Sequence, residues 1–257
     1  MIELENGVFM EQVEDLSRKK RWPDVRDMLL LLEPADIAAI LAEVSEDRLP
    51  LLYRLLPKEL AAEVFVEMDP EEQELLIKGF SDTELKEVLD ELYVDDTVDL
   101  IEEMPATVVK RILKHTDPET RKSVNEILNY PEDSAGSIMT TEFVDLKRDM
   151  TVEDALKRIR RTGVDKETIN ICYVTDPSRH LLGLVSIRTL LLSDEDDVIE
   201  EIMETNYISA STMDDREDVA QWLKKYDFLA LPVVDKESRL VGIVTIDDAI
   251  DVMEEEA

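Results

Sequence analysis

Apolar residues in the first half of the chain recur on a period of twelve that does not slip. Eight units begin at Glu33, Ser45, Pro57, Asp69, Ser81, Tyr93, Pro105 and Asp117, and within each the fifth, eighth, ninth and twelfth places tend to be apolar. Leu85, Val88, Leu89 and Leu92 are one set; Ile37, Ile40, Leu41 and Val44 are another. This i, i+3, i+4, i+7 stripe belongs to a short amphipathic helix. The openings supply its start signals: Ser45, Asp69, Ser81 and Asp117 as caps, Pro34, Pro70 and Pro118 in the first turn, and Ser81 with Glu84 as a capping box. One such helix cannot bury its stripe alone, so neighbours must stack, and the regular period favours a superhelical, solenoid-like all-α domain over an ordinary bundle.

After Tyr130 the pattern changes to short β-rich runs alternating with single helices. IMTTEFVDLKRDMTVEDAL from Ile138 recurs as IMETNYISASTMDDREDVA from Ile202, and CYVTDPSRHLLGLVSIRTL recurs as LPVVDKESRLVGIVTIDDA. The copies are offset by 64 residues from Met139 to Met203 and by 59 from Gly183 to Gly242, so the first carries a five-residue insertion around Gly163 to Thr168. Each copy reads strand, helix, strand, turn, strand, helix. Thr151 and Asp154 open one helix, and Gly183 or Gly242 lets a strand begin tightly after a polar turn. Two copies imply an internal pseudo-twofold axis.

Charge adds a second layer. The 257 residues hold 62 acids against 29 bases, a net −33, yet 44% of the chain is hydrophobic, which is a folded composition. Stretches 82–103, 194–218 and 247–256 carry 25 of the 33 net negative charges, whereas Pro105 to Ile127 is net positive. Such placement points to cations, and it repels nucleic acid and anionic lipid at long range. No run approaches the roughly 18 apolar residues needed to cross a bilayer, and MIELENGVFMEQVEDL is too acidic and broken for a signal peptide. The chain as written reads as soluble. Cys172 is the lone cysteine, in an apolar run, so no disulfide or thiolate zinc site is available and a reducing cytosol fits.

The tandem repeats resemble a pair of CBS domains. Together with the linker PEDSAGSIMTTEFV and the preceding acidic helical repeat, they resemble the cytosolic part of MgtE-type magnesium transporters, from about Glu33 to Ala257. The resemblance implies three parts: an N-terminal superhelical domain over 1–130, a first CBS domain over 131–200, and a second over 201–257 with the start of a connecting helix. It also implies a homodimer at the cytoplasmic face of the cell membrane, regulating a magnesium-permeable membrane domain that follows the second CBS domain. As the sequence ends at DVMEEEA, the chain is expected to be the regulatory portion without that membrane domain.

Coulomb's law supplies a mechanism. Two carboxylates at ~5 Å in an effective dielectric of ~20 repel by roughly 3 kcal/mol, so facing acidic patches separate unless cations bridge them. Magnesium suits the task, being hard, retaining several waters and needing one or two carboxylates per ion. Asp95 and Asp99 in YVDDTVDLIEE lie four apart on one helix face, off the stripe of Leu100, Ile101 and Met104, and are expected to point outward. A solvated face without an ion is the alternative for them. Matched along the repeat and the DDxxD pattern, the resemblance makes Asp95 and Asp99 magnesium ligands and adds Glu63 in AAEV. On the CBS side it implies Asp215 and Glu217 in DDREDVA, Asp227 in KYDF, Asp248 and Asp251 in TIDDAID, and the Gly136 carbonyl. Asp248 also has a helix-capping role available. No stretch has the oxygen spacing and central glycine of an EF-hand.

Three other readings compete. CBS pairs often bind adenosine compounds, and Thr245 to Asp248 fits a ribose-holding T-x-x-D, whereas the other copy reads Ser186 to Thr189 and lacks the acid; ATP or another adenine nucleotide is therefore a second candidate ligand. A structural scaffold would be indifferent to ions. An enzyme is disfavoured: His115 and His180 have no nearby nucleophile or HExxH spacing, and neither GxGxxG nor a P-loop is present. The acidic loop from Ser193 to Asp197 reads as solvated.

Overall fold

In the computed structural model, which describes residues 2–255, the chain divides into two compact units, one comprising Met1–Leu92 with Asp99–Arg121 and the other Tyr93–Val98 with Lys122–Ala257. Helices α1 (Ile2–Arg18) and α2 (Trp22–Leu29) precede the periodic region. Each twelve-residue unit then yields one helix: α3 (Pro34–Ala42), α4 (Leu49–Tyr53), α5 (Lys58–Val66), α6 (Pro70–Gly79), α7 (Asp82–Leu89), α8 (Val94–Glu103), α9 (Ala106–His115) and α10 (Pro118–Ile127).

Most of the packing skips one helix, although α3 also meets α4 and α6 meets α9. α3 lies on α5, α5 on α7 and α7 on α9, while α4 lies on α6, so the helices alternate between rows as a stacked repeat requires. The buried stripe includes Ile37, Ile40, Leu41, Leu85, Val88 and Leu89. Tyr53 packs among Phe65 and Phe80, with ring centroids 6.5 and 5.5 Å away, and its hydroxyl donates to the Ala61 carbonyl at 2.7 Å. Arg111 of α9 donates to the Ile77 and Phe80 carbonyls, satisfying acceptors that the end of α6 leaves open. Of the expected caps, Ser81 and Glu84 form the full capping box, and Asp117 Oδ1 accepts from the Glu119 and Thr120 amides at 2.9 and 3.2 Å. Asp69 occupies its N-cap without a side-chain bond. Ser45 opens a turn instead, because α4 starts four residues later at Leu49.

The second unit holds two sheets of one design. β1 (Asp145–Leu146) runs parallel to β2 (Ile171–Thr175), which is antiparallel to β3 (Leu181–Ser186), with α11 (Val152–Thr162) between β1 and β2 and α12 (Ile187–Leu192) after β3. After α13 (Ile199–Ile202) the plan repeats in β4 (Ala210–Ser211), α14 (Arg216–Tyr226), β5 (Ala230–Val234), β6 (Leu240–Thr245) and α15 (Ile246–Glu255). Thr151 and Asp215 are the matching N-caps of α11 and α14. Cys172 is buried in β2, where desolvation pushes its thiol up to about 12, as befits a strand residue and not a reactive thiolate.

Each copy completes the other. Thr140, which leads into the first copy, exchanges two 2.9 Å backbone bonds with Ile243 of the second; Glu204, which leads into the second, does the same with Leu184 of the first at 2.8 and 2.9 Å. This exchange corrects the reading of the two strand glycines. Neither has positive φ, so turn conformation is not their role. A Cβ at Gly242 would meet Thr140 O at 2.7 Å, and one at Gly183 would meet Glu204 O at 2.8 Å: both residues are bare so that the other copy's backbone can cross. Tyr173, Leu181, Ala230, Leu240 and Ile243, drawn from both copies, pack in one cluster flanked by Phe143 and its repeat counterpart Tyr207.

Candidate metal centre

The first turn of α8 belongs to the second unit, and three elements of that unit meet there. The Val94 amide donates to Glu142 Oε2 at 2.9 Å, and that oxygen also accepts from Thr140 Oγ1 at 3.0 Å. The Glu142 carbonyl accepts from the Glu167 amide at 3.0 Å, and Tyr93 donates its hydroxyl to the Lys166 carbonyl at 3.4 Å. Glu167 and Lys166 lie in the insertion that distinguishes the first copy. The third element is the start of α15, where Asp248 Oδ2 accepts from the Thr245 amide at 3.3 Å and from the Thr245 hydroxyl. The capping role foreseen for Asp248 is therefore real.

Asp95 is 6% exposed, which overturns the expectation that it points outward as Asp99 does. The stripe of α8 alone leaves Asp95 on an open face, whereas the insertion and α15 cover the other side of its first turn. Burial, then the charges of Asp248, Asp96 and Glu167, push the Asp95 carboxyl well above the usual range, against a 3.0 Å bond from the Asp96 amide. Burial is also the largest cause at Asp248, where the Thr245 hydroxyl opposes it and Asp247 and Asp96 add to the rise. Glu167 is pushed up to about 8, by burial first and then by Asp247, Asp96, Asp248 and Glu142. Its Oε2 is buried and has no hydrogen-bond donor.

The chemistry of this donor set suits a hard, hydrated cation. All the groups are oxygens, and one is a buried carboxylate oxygen without a donor. Among the described residues, no three His, Cys, Asp or Glu side chains converge closely enough to coordinate one metal ion directly. An ion held here would therefore be bound largely through its own water.

Comparison with known proteins agrees with this architecture. Residues 32–133 match the MgtE intracellular N domain, and residues 135–195 and 199–255 each match a CBS domain. A solved structure of the cytosolic domain of the Mg2+ channel MgtE in complex with ATP is 37% identical, with a TM-score of 0.88, and the match covers 95% of this chain and 99% of that one. The chain belongs to the MgtE family. A structure of the soluble part of a magnesium transporter, 31% identical with a TM-score of 0.88, covers 98% of this chain and 99% of its own. The magnesium transporter MgtE of Thermus thermophilus is 40% identical over 91% of this chain. The chain spans about half of that relative, 52% of its length. Among the described residues, no helix is long and apolar enough to cross a membrane.

The remaining MgtE-type candidates are dispersed. Glu63 and Asp99 are exposed residues of the helical unit. In the CBS unit, Gly136 donates its amide to Thr212 O at 3.0 Å beside the turn carrying Asp215, which caps α14 by accepting from the Glu217 amide at 2.9 Å. Glu217 lines an open groove with Trp222 and Met253. Asp227 ends α14 in the left-handed region at φ 54°, exposed, and Asp251 is exposed on α15. Of the candidates, Asp95 and Asp248 are brought into one cluster. Asp96, Glu142, Glu167 and Asp247 join them, and sequence reasoning had not singled these out. The signal available for Glu167 was its place in the asymmetric insertion.

Proposed function

We propose that this chain is the magnesium-sensing regulatory region of a magnesium transporter or channel. Mg2+ bridges acidic patches of the helical domain and the CBS pair and favours a closed state; when the ion leaves, carboxylate repulsion releases it. The observation that supports the reading is the electrostatic coupling of Asp95, Glu167 and Asp248 from three elements, with all three carboxyls pushed upward by burial first and then by like charges. Asp99, Glu63, Gly136, Asp215, Glu217, Asp227 and Asp251 are proposed as further positions where hydrated ions screen the approach. Because the chain spans about half of its relatives, the membrane domain that it would govern, its homodimerisation and its place at the cytoplasmic face of the membrane are part of the same proposal. The role is regulatory, not catalytic.

Adenine-nucleotide binding is a second reading, favoured by the Thr245–Asp248 pair at the start of α15 and by a relative described in complex with ATP. Thermal unfolding under separate Mg2+, Ca2+ and ATP titrations at matched ionic strength tests both. Stabilisation by millimolar Mg2+ that Asp95→Asn removes supports magnesium sensing. Stabilisation by ATP alone, insensitive to Asp95→Asn, would replace it with nucleotide sensing.

A further inference from the structure

The two CBS copies begin their closing helices alike but leave those helix starts differently exposed. In the first copy the Thr189 amide donates to Ser186 Oγ at 3.0 Å and the two hydroxyls stand 2.9 Å apart, on partly exposed residues. In the second, Asp248 Oδ2 accepts from the Thr245 amide and hydroxyl, and Thr245 is 4% exposed. What covers the second start is the first turn of α8. Val94 and Val98 there are buried, and Asp95 is near enough for the charge of Asp248 to act on it. Two bonds fasten that turn: the Val94 amide to Glu142 Oε2 at 2.9 Å, and the Tyr93 hydroxyl to the Lys166 carbonyl at 3.4 Å.

We infer that the first turn of α8 and an adenine nucleotide exclude each other at Thr245 and Asp248, so that the chain's own helix shuts this place and nucleotide enters only when α8 lifts. The inference rests on the nucleotide reading and narrows it. A ribose held by T-x-x-D needs a carboxylate free to accept its hydroxyls, whereas one Asp248 oxygen already serves Thr245 twice and Asp95 of α8 stands close by. Charge acts in the same direction. Asp95, Asp96, Glu142, Glu167 and Asp247 make the surroundings acidic, which repels phosphate. Where the second copy places Asp247, the first places an exposed Arg188. The exclusion is reciprocal: whatever holds α8 down weakens nucleotide binding here, and nucleotide bound here loosens α8 by the same factor.

AMP in metal-free buffer is the probe, because it carries the ribose and one phosphate. Val94→Pro removes the amide donor at a first-turn position that suits proline, and Tyr93→Phe removes the hydroxyl, so the double variant of the full chain unfastens α8 without changing its charge. Calorimetric titration should show AMP binding the double variant at least about tenfold more tightly than wild type, with the gain abolished when Asp248→Ala is added. Hydrogen exchange of the wild type needs no variant: AMP should speed exchange of the Val98 amide and leave α5 unchanged. Equal AMP affinity in wild type and double variant, a gain that survives Asp248→Ala, or α8 exchange that bound AMP leaves unaltered overturns the exclusion and leaves the nucleotide reading standing. Absence of AMP binding to both proteins overturns the nucleotide reading itself.

Discussion

The first CBS copy and the second present the same crossing to each other: Thr140 pairs with Ile243 as Glu204 pairs with Leu184, and Gly242 admits one strand as Gly183 admits the other. They differ in the insertion around Glu167, absent from the second copy, and at the start of the closing helix, where Thr189 in the first copy stands in the place of Asp248. The shared features make the frame, and both differences add acid beside the first turn of α8. Repetition supplies a stable pair of sheets, and departure from repetition supplies the charge cluster.

Breaking the frame should have the largest effect. Gly242→Ala drives a methyl into the Thr140 carbonyl and the Met139 side chain, and overpacking of this kind costs about 1–3 kcal/mol. Gly183→Ala should match it to within about 1 kcal/mol, because the crossing is the same. Denaturant unfolding checks both, and a large inequality between them would show that the two crossings do not share one frame.

Neutralising the asymmetric cluster should act in the opposite direction. Without divalent ions, Asp95→Asn should stabilise the protein by about 1–2 kcal/mol, by removing a carboxylate that is costly to bury and repelled by its acidic neighbours. The same cluster sets a pH dependence. Asp95, Asp248 and Glu167 are raised in the folded state, against Asp96, Glu142 and Asp247 nearby, so the folded protein holds more protons than the unfolded chain above the ordinary carboxyl range near pH ~4. Their stabilising contribution is complete below that range and is lost as pH rises through about 8, the value for Glu167. Unfolding free energy measured from pH 5 to pH 8 without divalent ions should therefore fall, and saturating Mg2+ should flatten the slope.

A smaller effect belongs to the helical unit, whose charges are arranged otherwise. Glu84 there is held at about 2 by the Arg54 guanidinium at 2.6 Å and by the Ser81 amide. Ser81→Ala should cost about 1 kcal/mol with no dependence on Mg2+. Smaller still is Asp227→Gly at the left-handed end of α14, which should gain a few tenths of a kcal/mol because glycine takes that conformation freely.

What the sequence made legible followed from periodicity. The twelve-residue repeat placed all eight helices, and the 64- and 59-residue offsets placed two sheets of equal design, because burial of one face leaves a regular trace. The crossing of Met139–Thr140 over Gly242 left no such trace, since backbone pairing between distant segments has no periodic signature. The burial of Asp95 left no trace for a related reason: a helix's own stripe says what its neighbours in the stack cover, not what a loop 72 residues onward brings to it. Glu167 lies in a short insertion that carries no periodic signal.

Magnesium, and not ionic strength, is proposed to hold the acidic surfaces together. The most direct measurement is the X-ray scattering radius of gyration of the chain, with millimolar Mg2+ and with an inert salt at equal ionic strength, for wild type and for Asp95→Asn combined with Asp248→Asn. Mg2+ should compact the wild type more than the inert salt does, and the double variant should give the same radius in both. Equal compaction of the wild type by both salts, or none by either, would contradict it.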